Sequence, residues 1–414
     1  MSEPSVSGAE SSGVAAADGA SPGLPSPSLP SSGLPSPGLP SAGMASVGMA
    51  SACLPSPAVP SADPPSAGAP ATRRLPGPPS PARSRQARSG GAIPGLRYRP
   101  AVPADPAKAA EVDRRLEAWA DRLDLVPPEW RGQFARFGLG RAIVLAHPGA
   151  AGPEHLTAAG KLLLAEHLVD NVYCEVDEGK GGSPRGLGGR LLMAQSALDP
   201  LHSTPEAEDR WRHGVRADGP LRSYHFALRD YAALATPSQT DRLVHDLARL
   251  HLGYLGEAAW AETDHMPQVW EYLVMRQFNN FRPCLAVVDA VDGWELPEAV
   301  HARPEVQRIT ALAGNAATIV NDLYSFTKEM SNDPDHLNLP MVIAANERRG
   351  LKAAYLQAVE IHNRIMEAFE EESAALSATS PLIERYATAL AAWVAGNHEW
   401  HATNTDRYSL PDYW

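Results

Sequence analysis

Asn321, Ser325 and Glu329 stand four residues apart in the segment NDLYSFTKE at 321–329. In a helix, steps of four residues drift by only about 40°, so the three side chains line up over two turns. An amide oxygen, a hydroxyl and a carboxylate form a hard-oxygen donor set that suits Mg²⁺. Two of the three are neutral, which leaves the ion most of its positive charge for a second anion such as a diphosphate. A polar stripe on an exposed helix is the competing reading. The apolar residues Ile309, Leu312, Ala316 and Ile319 just ahead point instead to a buried helix whose polar end opens into a cavity.

A second cluster closes the apolar run at 162–169, where Asp170, Asn171 and Glu175 precede a Gly-rich break at 179–189. Asp170 and Glu175 can reach one pocket mouth, and an acidic helix end running into solvent is an equal alternative. The Asn171 amide oxygen can accept a hydrogen bond or join a metal shell. His398 and His401 are three apart, one short of the His-Glu-x-x-His zinc pattern, so packing or hydrogen bonding is expected of them. Cys53, Cys174 and Cys284 have neither metal nor disulfide spacing and no His/Asn arrangement for covalent catalysis; a reducing cytoplasm fits. Trp393, Trp400, Phe278, Phe281, Tyr173 and Phe326 read as core, although aromatic faces also stabilise cations.

The elements that must carry these groups are helices. Val112, Leu116, Trp119 and Leu123 recur at steps of three and four, and similar spacing marks 156–176, 221–235, 239–262, 268–292, 305–331, 351–376 and 381–404. Alternating β-branched runs are nearly absent, so an all-α domain of about ten helices over 101–414 is expected. Residues 1–100 read differently. They hold 20 of the 39 prolines, a repeated GLPSP unit and a single aromatic, Tyr98. Such a stretch cannot bury enough apolar area to offset its ordering cost, so a disordered tail is expected. Its seven Arg against four Asp/Glu read as a solvated linker, and they leave the remainder more acidic than the overall −12. That balance argues against a nucleic-acid partner. Neither a membrane span nor a signal peptide is apparent, so a cytoplasmic protein is expected.

Taken together, these motifs resemble class I terpene synthases. NDLYSFTKE is similar to that family's NDxxSxxKE metal motif, and DNVYCEVDE from Asp170 to its aspartate-rich motif. Arg276, 45 residues before Asn321, falls near the family's diphosphate-sensing arginine, and Arg407-Tyr408 near its C-terminal Arg-Tyr pair. Within the family, the segments from Gly186, Arg276, His336 and Gly396 resemble a bacterial group that cyclises 2-methylgeranyl diphosphate. One departure is Asn171, where that group usually carries a second Asp. The resemblance implies a helical bundle around a central apolar cavity and Mg²⁺, in three ions, on Asp170, Asn321, Ser325 and Glu329, with Asn171 and Glu175 at the edge of the shell. It implies a diphosphate held by Arg276, Lys328, Arg407 and Tyr408, and water capture of the cyclised cation as 2-methylisoborneol. A C-methyltransferase acting on geranyl diphosphate would supply the substrate, and a homodimer stays open. Proton loss to 2-methylenebornane, a farnesyl diphosphate cyclase and a helical binding protein with a degenerate site are the alternatives. A second aspartate-rich motif and a DxDD motif are both missing, which argues against chain elongation and against protonation-initiated cyclisation.

Overall fold

The computed structural model describes residues 88–89, 91–125, 138–174, 186–332, 336–404 and 408–414. Helix α1 (Pro106–Arg122) starts where the Asp105 carboxylate accepts from the amides of Ala107 and Lys108, with Pro106 in the first turn, where no amide is needed. It buries Val112, Leu116 and Trp119, the face its spacing predicts. Then come α2 (Leu139–Ala146), α3 (Pro153–Val169) and a π-turn at Asp170–Cys174. Next are α4 (Leu187–Leu198), α5 (Pro205–Ala217), α6 (Gly219–Ala232) and α7 (Pro237–Glu262), the last begun by a Thr236/Gln239 capping box.

Periodicity over 268–292 predicts one helix, and the structure breaks it. Helix α8 (Val269–Phe278) ends at Asn279, and two single-turn helices, α9 (Arg282–Leu285) and α10 (Val288–Val291), follow. The Asn280 side chain ties the break: its Oδ1 accepts the Arg282 amide and its Nδ2 donates to the Gln277 carbonyl. Gly253 on α7 lets the break approach, since a β-carbon there would lie 2.4 Å from the Asn279 nitrogen. Buried pairs Arg282–Asp246 and Arg242–Asp289, at 2.7 and 3.1 Å, clamp α9 and α10 onto α7.

After the single turn α11 (Glu298–His301), the 29-residue α12 (Pro304–Asn332) runs through the core, followed by α13 (Leu339–Glu347), α14 (Leu351–Ser377) and α15 (Pro381–Thr403). Val306, Ile309, Ala313, Ala316, Ile319, Val320, Leu323 and Tyr324 of α12 are all buried, which fits a helix packed on most of its faces. The described residues are all-α apart from one short antiparallel pair, β1 (Arg88–Ser89) with β2 (Ser409–Leu410).

That pair shows where the tail boundary at residue 100 fails. Ile93 and Leu96 are 1% and 6% exposed in the core formed by α8, α12, α13 and α14. The Gly91 amide donates to the Ala402 carbonyl, Tyr98 stacks on His398, and Arg97 pairs with Glu370 at 2.6 Å. Two apolar anchors suffice to dock this strap, and a composition average over 100 residues hides them. Residues 1–87, where the rest of the tail reading falls, lie outside the described residues. Among the described residues no helix is long and apolar enough to cross a membrane.

Candidate active site

The polar end of α12 sits on a backing that sets the direction of each side chain. Ser325 donates its hydroxyl hydrogen to the Asn321 carbonyl at 2.7 Å, which leaves the oxygen lone pairs for an outside group. His401 Nδ1 lies 2.8 Å from the Asn397 carbonyl, which can only accept, so that nitrogen carries the hydrogen. His401 Nε2 is then an acceptor, and it takes the Asn321 Nδ2–H at 3.2 Å. The Asn321 amide nitrogen is thereby turned to His401 and its oxygen away from it, as a cation ligand requires. Tyr408 stacks on the His401 ring with centroids 5.2 Å apart. Glu329 takes a hydrogen bond from Asn338 Nδ2 at 3.0 Å, and His336 Nε2 lies 3.6 Å from its other oxygen. Asn338 also caps α13, so Glu329 is tied to the start of the next helix.

One position along, Asp322 is turned about 100° around the helix from Asn321, toward α8 and α13. Its carboxylate accepts from the Tyr272 hydroxyl at 2.8 Å and from the Leu339 amide at 3.2 Å, and it pairs with Arg276. Burial opposes the charge on Arg276, and Asp322 more than offsets it, so the guanidinium stays protonated. Arg276 Nη1 reaches the Asn279 carbonyl at the helix break, while its Nε is buried with no hydrogen-bond partner. One charged donor is thus left over beside the polar end of α12. The sequence reading assigns Asp322 no role; the available signal is its place three residues before Ser325 and seven before Glu329, next to the same helix face.

Asp170 and Asn171 lie at the end of α3, where the helix loosens into the π-turn. Such turns recur at functional sites because one extra residue re-aims the side chains. The turn is anchored by Tyr173, whose hydroxyl donates to Asp218 at 2.7 Å and whose carbonyl accepts from Arg190 at 3.1 Å. Helix α9 touches both α3 and α12 and so joins the two walls. Sequence reading also passed over Glu166, one turn before Asp170. It is 8% exposed, and burial first, then the nearby Asp170 charge, pushes its carboxyl up to about 8.

The structure therefore brings Asn321, Ser325 and Glu329 to one helix face, with Lys328 on the same helix, Arg276 reached through Asp322, and Tyr408 reached through His401. His398 and His401 do make packing and hydrogen-bond contacts, and the His401 bond goes to Asn321 itself. Glu175 and Arg407 lie outside the described residues. Among the described residues no three His, Cys, Asp or Glu gather as a metal site. The oriented Asn321 oxygen and the free Ser325 lone pairs suit a hard divalent cation.

The chain is similar to known proteins over most of its length. Residues 168–368 match the family Terpene synthase family 2, C-terminal metal binding. The 2-methylisoborneol synthase of Streptomyces ambofaciens is 54% identical over 343 residues, covering 82% of this chain and 77% of that one. The crystal structure of 2-methylisoborneol synthase from Streptomyces coelicolor A3(2) in complex with Mg²⁺ and 2-fluoroneryl diphosphate has 53% identity and a TM-score of 0.76, covering 78% of this chain and all of that one. The same enzyme with Mg²⁺ and geranyl-S-thiolodiphosphate gives 52% and 0.74, over 78% of this chain and again all of that one.

Proposed function

The chain belongs to terpene synthase family 2, and from that membership we propose that it is a Mg²⁺-dependent cyclase converting 2-methylgeranyl diphosphate and water to 2-methylisoborneol and diphosphate. The observation that carries this reading is the Asn321–Ser325–Glu329 face, with the Asn321 oxygen turned outward by His401. Asp170, Asn321, Ser325 and Glu329 would hold the metal, three ions in all, with Asn171 and Glu175 at the margin of the shell. When bound, Mg²⁺ neutralises the charge gathering on the departing diphosphate.

The protein's own groups do the rest. Arg276, kept charged by Asp322, would place its positive charge near the diphosphate, with Lys328, Arg407 and Tyr408 as donors to it. Held from several sides, the diphosphate leaves without a protein nucleophile, and the allylic C–O bond breaks heterolytically. The apolar helical interior folds the cation and keeps water away until ring closure is complete. Aromatic rings such as Phe281 and Trp393, in contact at 5.4 Å between centroids, belong to that interior.

The catalytic domain on this reading begins before residue 101, at the strap that docks Ile93. The substrate carries a methyl group that geranyl diphosphate lacks, so a C-methyltransferase acting on geranyl diphosphate is the expected functional partner. A cytoplasmic setting fits the buried Cys284 thiol. The test is gas chromatography with mass spectrometry of purified protein given Mg²⁺ and, separately, 2-methylgeranyl, geranyl and farnesyl diphosphate. A C11 alcohol from the first substrate is expected as the major product. A larger yield of C15 product from farnesyl diphosphate would overturn the substrate assignment.

A further inference from the structure

Glu166 is the one buried carboxyl near Asp170 that no ion pair or strong hydrogen bond explains. Four residues before Asp170, it lies on the same face of α3, one turn deeper from the helix end. Among the described residues its only hydrogen-bonding neighbour is the Cys284 thiol of α9, with Sγ 3.8 and 4.0 Å from the two carboxyl oxygens. A thiol is a weak donor, so most of the carboxyl's hydrogen-bonding capacity is unused. Such a buried group is costly unless a ligand or water completes it. Two tyrosines share its surroundings, Tyr224 of α6 and Tyr254 of α7, both near enough for a charge on Glu166 to raise their pKa values. Tyr224 meets His251 at 3.4 Å. Tyr254 is buried, and among the described residues no hydrogen bond uses its hydroxyl.

We infer that Glu166, with Tyr254 beside it, holds the single water that captures the final carbocation, and so decides between alcohol and hydrocarbon products. The inference rests on the terpene cyclase reading above. Burial keeps the carboxyl neutral at neutral pH, and that state suits the task in two ways. A neutral acid can both donate to and accept from a water, and it is a far weaker nucleophile toward the cation than a carboxylate, which would end the reaction as an enzyme ester. In the capture step the water oxygen uses a lone pair to form the new C–O bond with the cationic carbon. The resulting oxonium releases one proton to the diphosphate set free at ionisation. Without a water at that carbon, a neighbouring C–H bond gives up its proton instead, its electrons form a C=C bond, and a C11 hydrocarbon leaves.

The readout is the ratio of C11 alcohol to C11 hydrocarbon from 2-methylgeranyl diphosphate and Mg²⁺, which does not depend on how much active enzyme is present. Glu166→Met, apolar and of similar size, is expected to lower that ratio about tenfold, the worth of one or two hydrogen bonds. Glu166→Gln, which can still bond a water, should keep the alcohol as the major product. Tyr254→Phe removes one oxygen with little change in packing, and should shift the ratio the same way by a smaller factor, giving a second reading should the Met variant not fold. An unchanged ratio in Tyr254→Phe and in whichever Glu166 variants fold would overturn the inference and leave the cyclase reading intact. A wild-type protein that makes only hydrocarbon from this substrate would overturn the inference together with the water-capture ending. No C11 product at all would sink the cyclase reading itself.

Discussion

On α12, Asn321, Asp322, Ser325 and Glu329 each meet a partner within hydrogen-bond distance, whereas on α3 the buried Glu166 meets, among the described residues, only a thiol at 3.8 Å. The difference separates two kinds of work. A side chain that must point one way before the substrate arrives is tied from behind, as His401 ties Asn321, and the cost of ordering it is met during folding. A side chain that must receive something transient keeps its hydrogen-bonding capacity open, and the fold bears the destabilisation. The α12 wall is therefore expected to answer mutation through stability and metal affinity, and the α3 wall through product identity.

The largest effect should come from Asp322→Ala, which strands the buried Arg276 charge and the Tyr272 hydroxyl. A loss of about 3–5 kcal/mol is expected in urea unfolding, the usual result of removing one partner from a buried pair. A loss below about 1 kcal/mol would mean that Arg276 is held by something other than Asp322.

Close behind comes the strap that backs α12. The Tyr324 hydroxyl of α12 donates to the Gly91 carbonyl, and Ile93 fills the core beside it. Ile93→Ala should cost about 2–5 kcal/mol by the same method. A chain beginning at residue 88 should instead stay within about 0.5 kcal/mol of the full chain. Equal effects from the two changes would contradict the docking of residues 91–100.

His401→Ala should leave the fold standing but weaken Mg²⁺ binding about 10- to 100-fold, as for other residues that orient a ligand from behind. Turnover against Mg²⁺ concentration reads this, and an unmoved half-saturation point would remove His401 from the site.

A pH dependence on the α3 side completes the contrast. Glu166 ionises near its ordinary 4.5 when unfolded and at about 8 when folded. Between those values the folded state keeps a proton that the unfolded state has lost, so stability falls as pH rises through the window and is level outside it. Asp170 on its own helix, and Cys284, Tyr224 and Tyr254 from the facing helices, are the titratable groups around it. Glu166→Gln removes this term, so its gain in Tm over the parent, without metal, should be larger at pH 8 than at pH 5. A gain independent of pH would show that Glu166 is ionised in the fold.

How much of this was readable beforehand divides along the same line. Residues whose role follows from spacing on one helix were legible: Asn321, Ser325 and Glu329 line up because the α-helix period dictates it, and Val112, Leu116 and Trp119 bury for the same reason. Roles that depend on a partner distant in sequence were not. The spacing of His401 predicts packing or hydrogen bonding but no partner, because Asn321 is 80 residues away, and Asp322 carries no signal of its pairing because Arg276 arrives from another helix. The break at 279–281 was missed because its cause, the close approach of Gly253, is a tertiary contact that periodicity does not carry. The strap at 91–100 was lost among prolines, since two anchoring side chains hardly change the composition of a hundred residues.

The most direct test of the α12 assignment is diphosphate release from 2-methylgeranyl diphosphate by wild type and by Asn321→Ala, each titrated with Mg²⁺ after chelation. We expect no release from the chelated wild type, recovery with added Mg²⁺, and a rate about 10²- to 10³-fold lower in the variant at every Mg²⁺ concentration, the scale of losing one preorganised electrostatic contact. Release that persists without metal, or a variant that matches wild type throughout, would contradict the assignment of this helix face as the metal site.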